Sequence, residues 1–411
     1  MNHKALISAL SHFSQKSGQL FVNGHSIAEI AEKYSTPLYI YDSNFLSRRH
    51  KMLREMLPQD LEITYAVKAN PNSKLLHILG QLYDGVDIAS RGEMVQALKA
   101  GIPAQKMSFT GPGKSRAELE YALKMGIGSI SVESEREIEH IRAICEQNNL
   151  QANILVRINP EFELARSGMK MGGGPKQFGI DSEKIPVLLS SLKNENRIKL
   201  RGIHIFSGSQ NLVAEAIVET FQKIVDYAAS LSATTQVSLE IVNLGGGFGI
   251  PYYFNDDDLD LSAVGKGLHQ VLAKARDILP GTHFKIELGR YIVGESGIYV
   301  SKILYRKESR GETYIILDGG MHHHLAASGN FGQKMVHRPM PMTIANALDN
   351  PVEKVNVVGT LCTPLDTFGA NVEIPQSGEG DYLVVLNSGA YGYSASPLGF
   401  LSHDPPTEVV L

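Results

Sequence analysis

Tryptophan is absent from this chain of 411 residues, and cysteine occurs only twice, at Cys145 and Cys362. Two cysteines are too few for a disulfide framework or a four-cysteine zinc site, so a reducing, cytoplasmic setting is expected. Long apolar runs are missing as well. No window approaches the ~18 apolar residues of a membrane span, and the opening MNHKALISALSHFSQKSGQL lacks the continuous apolar core of a signal peptide. Neither sign of charge is in excess. Lys and Arg number 39 against 43 Asp and Glu, a net charge of −4, so the basic surplus of a nucleic-acid binder is not there. What remains is a globular balance of 43% hydrophobic and 20% charged residues, which argues against disorder. The length suffices for one large domain or two medium ones.

The strongest pattern is an alternation between residues 60 and 290. Short β-rich runs appear at Glu62–Ala69, Val86–Ser90, Met107–Gly111, Ser129–Ser134, Asn153–Asn159, Leu200–Ile205, Leu239–Gly245 and Phe284–Arg290. Between them lie segments with helical apolar spacing, such as Ser134–Glu146 and Glu215–Leu231. Eight such repeats predict a (β/α)₈ TIM-type barrel of the α/β class, with a doubly wound sheet as the alternative. After Arg290 the runs IYVSKILYRKES, TYIILDGG, KVNVVGTLC and DYLVVLNSG are separated by Gly, Pro and Asn turns. They predict a C-terminal antiparallel β-domain. The early run Pro37–Tyr41 (PLYIY) is expected to add a strand to it. The expected division is 1–43 as a segment joining the β-domain, 44–285 as the barrel and 286–411 as the β-domain. The acidic run Asp256–Asp260 is read as a solvated loop.

Functional residues of a barrel sit at the C-terminal ends of its strands, and the unusual residues fall there. Lys68 ends the first run; burial within TYAVKAN would lower its pKa, and a desolvated lysine forms Schiff bases. The alternative is a strand-end lysine reaching solvent. Asp87 and Ser90 end the second run, Arg157 the fifth, and Ser207–Gln210 (SGSQ) the sixth. Gly245–Gly247 ends the seventh, where free backbone N–H groups suit an anion or simply a tight turn. Glu287 and Arg290 close the eighth: a carboxylate that can hold a ring nitrogen protonated and a guanidinium that can meet a phosphate, or together a surface ion pair. Cys362 and Cys145 also read as small buried hydrophobes. His322, His323 and His324 are adjacent, and on a strand neighbours point to opposite faces, so no metal site is expected from them.

The motifs YAVKAN, DIASRGE, SGSQ, NLGGGFG, ELGR, LCTPLD and SGAYG, in this order, resemble those of the fold-type III pyridoxal 5′-phosphate (PLP) decarboxylases, which include the diaminopimelate and ornithine enzymes. The resemblance runs from about residue 35 to the C-terminus. It implies that PLP is the cofactor and Lys68 the Schiff-base lysine. It places Glu287 at the pyridine nitrogen and Ser209, Gly246, Gly247, Arg290 and Tyr391 around the phosphate, with Arg290 open to a substrate contact instead. Asp87 and Glu93 would lie near Lys68, and Arg157 near the ring. Cys362 would be the acid that protonates carbon after CO₂ leaves, reaching in from the other subunit of a homodimer with shared active sites.

Three positions depart from that pattern. Phe206 stands where the family usually stacks a histidine on the ring, and His204 lies two residues before it. Thr363 replaces the acid that holds a distal ammonium in the diaminopimelate and ornithine enzymes. Ala326 stands where the diaminopimelate enzymes carry an arginine, unless Arg338 takes its place. The stretches KMGGGPKQFGID, DGGMHHH and LNSGAYGYSASP look like the branch of L-glutamyl-[acyl carrier protein] and exosortase-associated decarboxylases. A tethered substrate needs no ionic clamp at its distal end. A small or neutral free amino acid fits the same losses. Lys170, Lys176 and Arg338 are candidates for a carrier-protein patch. The alternatives are a PLP-dependent racemase, opposed by Glu287 and Cys362, a PLP-carrying homeostasis protein without the β-domain, and a diaminopimelate decarboxylase with an altered pocket.

Overall fold

The computed structural model describes residues 3–161, 169–170, 174–328 and 338–411, the side chains of 169–170 excepted. The chain divides into two compact units. One comprises Arg49–Gly249 and Leu259–Gly289; the other comprises Met1–Arg48, Ile250–Asp258 and Arg290–Leu411.

Eight parallel strands close the first unit into a barrel: β1 (Glu62–Ala66), β2 (Gly85–Ile88), β3 (Met107–Phe109), β4 (Ser129–Val132), β5 (Ala152–Asn159), β6 (Ile198–His204), β7 (Ile241–Gly246) and β8 (His283–Leu288). They pair in sequence order, and β8 returns to β1 through Lys285↔Glu62 and Leu288↔Tyr65. The runs are nearly continuous in apolar residues because helices cover the outer face while side chains fill the interior. The helix Glu135–Asn148 shows how sequence sets a boundary. Ser134 accepts a hydrogen bond from the Glu137 N–H at its start, and Ile138, Ile141, Ile144 and Cys145 form its buried stripe. Ala214–Thr235 buries Phe221, Ile224, Val225, Ala228 and Leu231 in the same way, each large apolar side chain contributing about 1.5–3 kcal/mol.

One local expectation changes. The first strand stops at Ala66, and Val67–Ala69 form a 3₁₀ turn. The Tyr65 hydroxyl donates to the Asn70 carbonyl at 2.8 Å and pins this turn. Pro71 also disfavours helical backbone at Asn70, so the turn cannot lengthen into a helix.

The second unit is built on a mixed sheet. Its longest strand, β9 (Gly297–Ser309), pairs antiparallel with Leu38–Tyr41, with β10 (Glu312–Leu317) and with β14 (Tyr382–Val385). The early strand therefore joins this sheet, as its sequence suggested. β11 (Met342–Ile344) lies antiparallel to β14, and β12 (Val352–Val358) antiparallel to β13 (Thr367–Pro375). The sheet is not wholly antiparallel. β10 runs parallel to β12, and Thr407–Val410 runs parallel to Leu38–Tyr41. Both pairs are joined by connections long enough for the crossover that parallel pairing requires. Leu38, Ile40, Ile298, Val300, Val384 and Val409 pack with Leu20, Val22, Ile27 and Ile30 in one core.

The acidic run does more than face solvent. Asp256 accepts from the N–H groups of Tyr252 and Tyr253, and Asp257 meets Lys4 at 2.7 Å. Asp260 caps the helix Leu261–Ile278. No helix among the described residues is long and apolar enough to cross a membrane.

Candidate active site

Strand period decides what lines the barrel mouth. Lys285 and Glu287 lie two apart on β8 and share a face. Asn243 of β7 donates from Nδ2 to Glu287 Oε1 at 2.5 Å, and Lys285 Nζ stands 3.8 Å from the same oxygen. His204, at the end of β6, places Nε2 3.5 Å from Glu287 Oε2, while its Nδ1 meets the Ser131 hydroxyl at 3.1 Å. Burial, reinforced by the positive charge of Arg157, lowers the His204 pKa to about 3. The imidazole is therefore neutral near pH 7.

Lys68 lies on its 3₁₀ turn with Nζ 5.7 Å from the Phe206 ring centroid. The expectation of a desolvated lysine is not met. Its side chain is exposed while Val67 and Ala69 are buried, because the turn directs the central residue away from its neighbours. Asp87 is buried and accepts hydrogen bonds from Thr110 at 2.7 Å and Ser108 at 3.2 Å. Burial and the nearby Glu287 charge raise its pKa to about 6, with Lys68 opposing. Glu93 accepts from the Ala89 N–H at 2.6 Å, and burial raises its pKa to about 7. Lys68 acts electrostatically on both carboxyls, so the three form one group.

Asp87 gives a pH prediction for the cofactor-free protein. Its folded pKa, about 6 against an ordinary 3.8, means that the native state holds this proton more tightly. The resulting stabilisation is complete below the unfolded value and is lost as pH rises through about 6, on the order of 2–3 kcal/mol in all. Asp87→Asn should remove that loss between about pH 4 and pH 6.5, read by urea unfolding at the two pH values. Equal slopes in the two proteins would contradict it.

Arg157 is buried on β5, with NH1 2.7 Å from Glu133 Oε1 and its guanidinium 5.0 Å from the Phe178 ring centroid. Glu133 also accepts from the N–H groups of Gly111 and Gly179. The glycine run forms the closest backbone packing of the mouth. Gly245 and Gly247 have φ of 72° and 87°. A Cβ at Gly246 would stand 2.0 Å from the Glu287 carbonyl oxygen, and one at Gly247 2.2 Å from that of Gly208. The Asn211 N–H donates to the Gly247 carbonyl at 2.9 Å, which ties the Ser207–Gln210 loop, and Ser209 with it, to the glycines.

In the second unit Arg290 is held by the Tyr252 hydroxyl at 3.0 Å from NH1, with Tyr391 4.6 Å below the guanidinium. Arg290 Nε is buried without a hydrogen-bond partner. Cys362 is exposed, unlike Cys145, which is buried. His322–His324 lie in a turn and not a strand, because the Gly320 carbonyl accepts from the N–H groups of both His323 and His324. All three rings are buried, and His324 Nε2 meets Ser388 at 2.9 Å. Among the described residues no group of three or more His, Cys, Asp or Glu side chains is arranged to hold a metal ion.

Residues 44–294 match the family model described as the pyridoxal-binding domain of pyridoxal-dependent decarboxylases. The chain belongs to this family. Among its relatives is the L-glutamyl-[BtrI acyl-carrier protein] decarboxylase of Niallia circulans, 37% identical over 93% of this chain and 90% of the relative. Another is the 2-[(L-alanin-3-ylcarbamoyl)methyl]-2-hydroxybutanedioate decarboxylase of Staphylococcus aureus, 32% identical over 93% and 95%. The solved diaminopimelate decarboxylase from M. jannaschii superposes with a TM-score of 0.89, at 25% identity, over 98% of this chain and 93% of that one.

The chain is thus a PLP-dependent decarboxylase, and each unit carries residues suited to that cofactor. In the barrel, the glycine run keeps its backbone bare, since any Cβ there would strike a carbonyl oxygen, and Glu287 offers a carboxylate; in the second unit, taken by itself, Arg290 Nε is a buried donor without a hydrogen-bond partner. Three structural neighbours escaped the reading of the decarboxylase sequence: Asn243, Lys285 and Glu133. The first two carry a legible signal, since each is a polar residue on an inward-facing position of a barrel strand, Asn243 in IVNLGG and Lys285 two before Glu287. Glu133 lies just past β4, where no periodicity marks it.

Proposed function

We propose that this decarboxylase removes the α-carboxyl of an amino acid held as a thioester on an acyl carrier protein, as a cytoplasmic homodimer with shared active sites. Thr363 carries the reading. A neutral hydroxyl stands where a distal ammonium would need an acid, and Asp366, three residues on, is occupied by the N–H groups of Met321 at 2.7 Å and Leu361 at 2.8 Å. Ala326 likewise offers nothing to a distal carboxylate. The Niallia circulans relative acts on a carrier-bound glutamyl group. Of the carrier-facing candidates, Lys176 and Arg338 are exposed, and the Lys170 side chain lies outside the described residues.

In this reading Lys68 would hold PLP through its aldehyde until the substrate amine takes its place. Ser209, Gly246, Gly247, Arg290 and Tyr391 would serve the phosphate, Phe206 would offer the ring an aromatic face, and Arg157 would lie near the ring. Asp87 and Glu93 sustain the field at Lys68. Glu287 would accept a hydrogen bond from the ring N–H. When bound, PLP supplies an electron sink for the pair left at Cα as the bond to the carboxyl breaks and CO₂ departs. Cys362 of the second subunit then delivers its thiol proton to Cα.

The test is CO₂ release from diaminopimelate, lysine, ornithine, arginine and glutamate beside glutamyl and other aminoacyl thioesters of a carrier protein. Release from a thioester alone is expected. Release from a free basic amino acid would overturn the tethered-substrate reading and leave the decarboxylase class intact.

A further inference from the structure

Lys285 is a buried cation that the proposed chemistry does not use. It is 5% exposed on the interior face of β8, and its register partners are Asn243 on β7 and Glu62 on β1. Among the described residues its one ion-pair partner is Glu287, at 3.8 Å from Oε1. Burying an ammonium on a long side chain is costly unless it is compensated. A buried lysine beside a functional carboxylate therefore calls for a reason.

The surroundings of Glu287 supply one. Oε1 is taken by the Asn243 amide, with Lys285 behind it, while Oε2 faces His204 at 3.5 Å without a hydrogen bond. His204 is neutral and adds no charge. Asp87 is the other acid that interacts with Glu287, and Lys68 is the cation facing Asp87. Within this set Lys285 is the cation in direct contact with the carboxylate. With Asn243 it engages Oε1 and leaves Oε2 without a hydrogen bond.

We propose that Lys285 is a positioning residue that acts through Glu287, holding Oε1 together with Asn243 and leaving Oε2 to accept the cofactor's ring N–H. This rests on the reading that Glu287 meets the pyridine nitrogen. Removing a nearby positive charge raises the proton affinity of a ring nitrogen held by Glu287. Proton uptake by the loaded site must therefore move to higher pH when Lys285 is neutralised.

The experiment titrates the visible absorbance of the PLP-loaded protein against pH, with cofactor dissociation measured in parallel. Lys285→Met is expected to move the spectroscopic transition upward by about one pH unit, a tenfold change in proton affinity. Lys285→Arg should restore it. In a Glu287→Gln background the shift should shrink, and an equal shift in both backgrounds, the mark of a charge acting on the ring nitrogen directly, overturns the proposal. A merely structural lysine would lower the melting temperature and leave the titration in place, and that outcome overturns the proposal. If the methionine variant does not fold, Lys285→Gln takes the same titration with the same two readings. A Glu287→Gln protein whose spectrum matches the parent at all pH values would instead remove the Glu287 reading itself, so the two failures are distinguishable.

Discussion

Lys68→Ala is expected to lower decarboxylation by about 10³-fold or more, because the residue is assigned both the cofactor linkage and the exchange with the substrate amine. The protein should fold normally. Lys68 is exposed on a three-residue turn held by the buried Val67 and Ala69 and by the Tyr65–Asn70 hydrogen bond, none of which the substitution touches. Borohydride treatment of the PLP-loaded parent should leave the cofactor's mass on the peptide containing Lys68, and the variant should show no such label. A labelled peptide elsewhere would move the assignment to another lysine. The same variant tests the shared site. Mixed in equal amounts with Cys362→Ala and allowed to exchange subunits, it should recover about a quarter of parental activity, since half of the dimers are mixed and each of those carries one intact site. No recovery would place both residues in a site made by a single chain.

Glu133→Ala should destabilise the barrel by about 3–5 kcal/mol, the cost of leaving one member of a buried ion pair without its partner. Arg157 and Glu133 are both nearly inaccessible, with side chains 6% and 2% exposed. The loss extends past the pair. Gly111 and Gly179 would each lose the acceptor of a backbone N–H, and buried donors without acceptors are expensive. Glu133→Gln retains an acceptor but not the charge and should fall between the two. Urea unfolding of the three proteins measures this, and a change below about 1 kcal/mol for the alanine variant would mean that Arg157 reaches solvent when its partner is removed.

The barrel was legible because each strand is a β-rich run and each helix an apolar stripe; these are local signals repeated eight times. Gly245–Gly247 and Glu287 stood out for the same reason, as residues that break the texture of a strand end. The environment of Lys68 was misread. A one-dimensional apolar context does not reveal that the chain turns at Val67 and exposes the lysine. The parallel pairing of β10 with β12 was also hidden, since period-two alternation states which face is buried and not which strand lies alongside. The histidine run was read as a strand because nothing local announces that the Gly320 carbonyl will close a turn there. Lys285 and Asn243 were visible as polar residues within strands, but their meeting at Glu287 depends on barrel register.

The split composition of the second unit also sets an order for folding during synthesis. Leu38–Tyr41 emerges early, yet its antiparallel partner begins at Gly297, paired with Tyr41, a separation of 297 − 41 = 256 residues. At ~5–20 residues per second the early strand waits for about 10–50 s before a partner exists. In that interval all eight barrel strands, from Glu62 to Leu288, have been made. The ribosome thus delivers a complete barrel while a short apolar strand remains unpaired ahead of it. The interval before β9 arrives is when the nascent chain is most exposed to wrong pairing, and when a chaperone holding the first forty residues would have its greatest effect on yield.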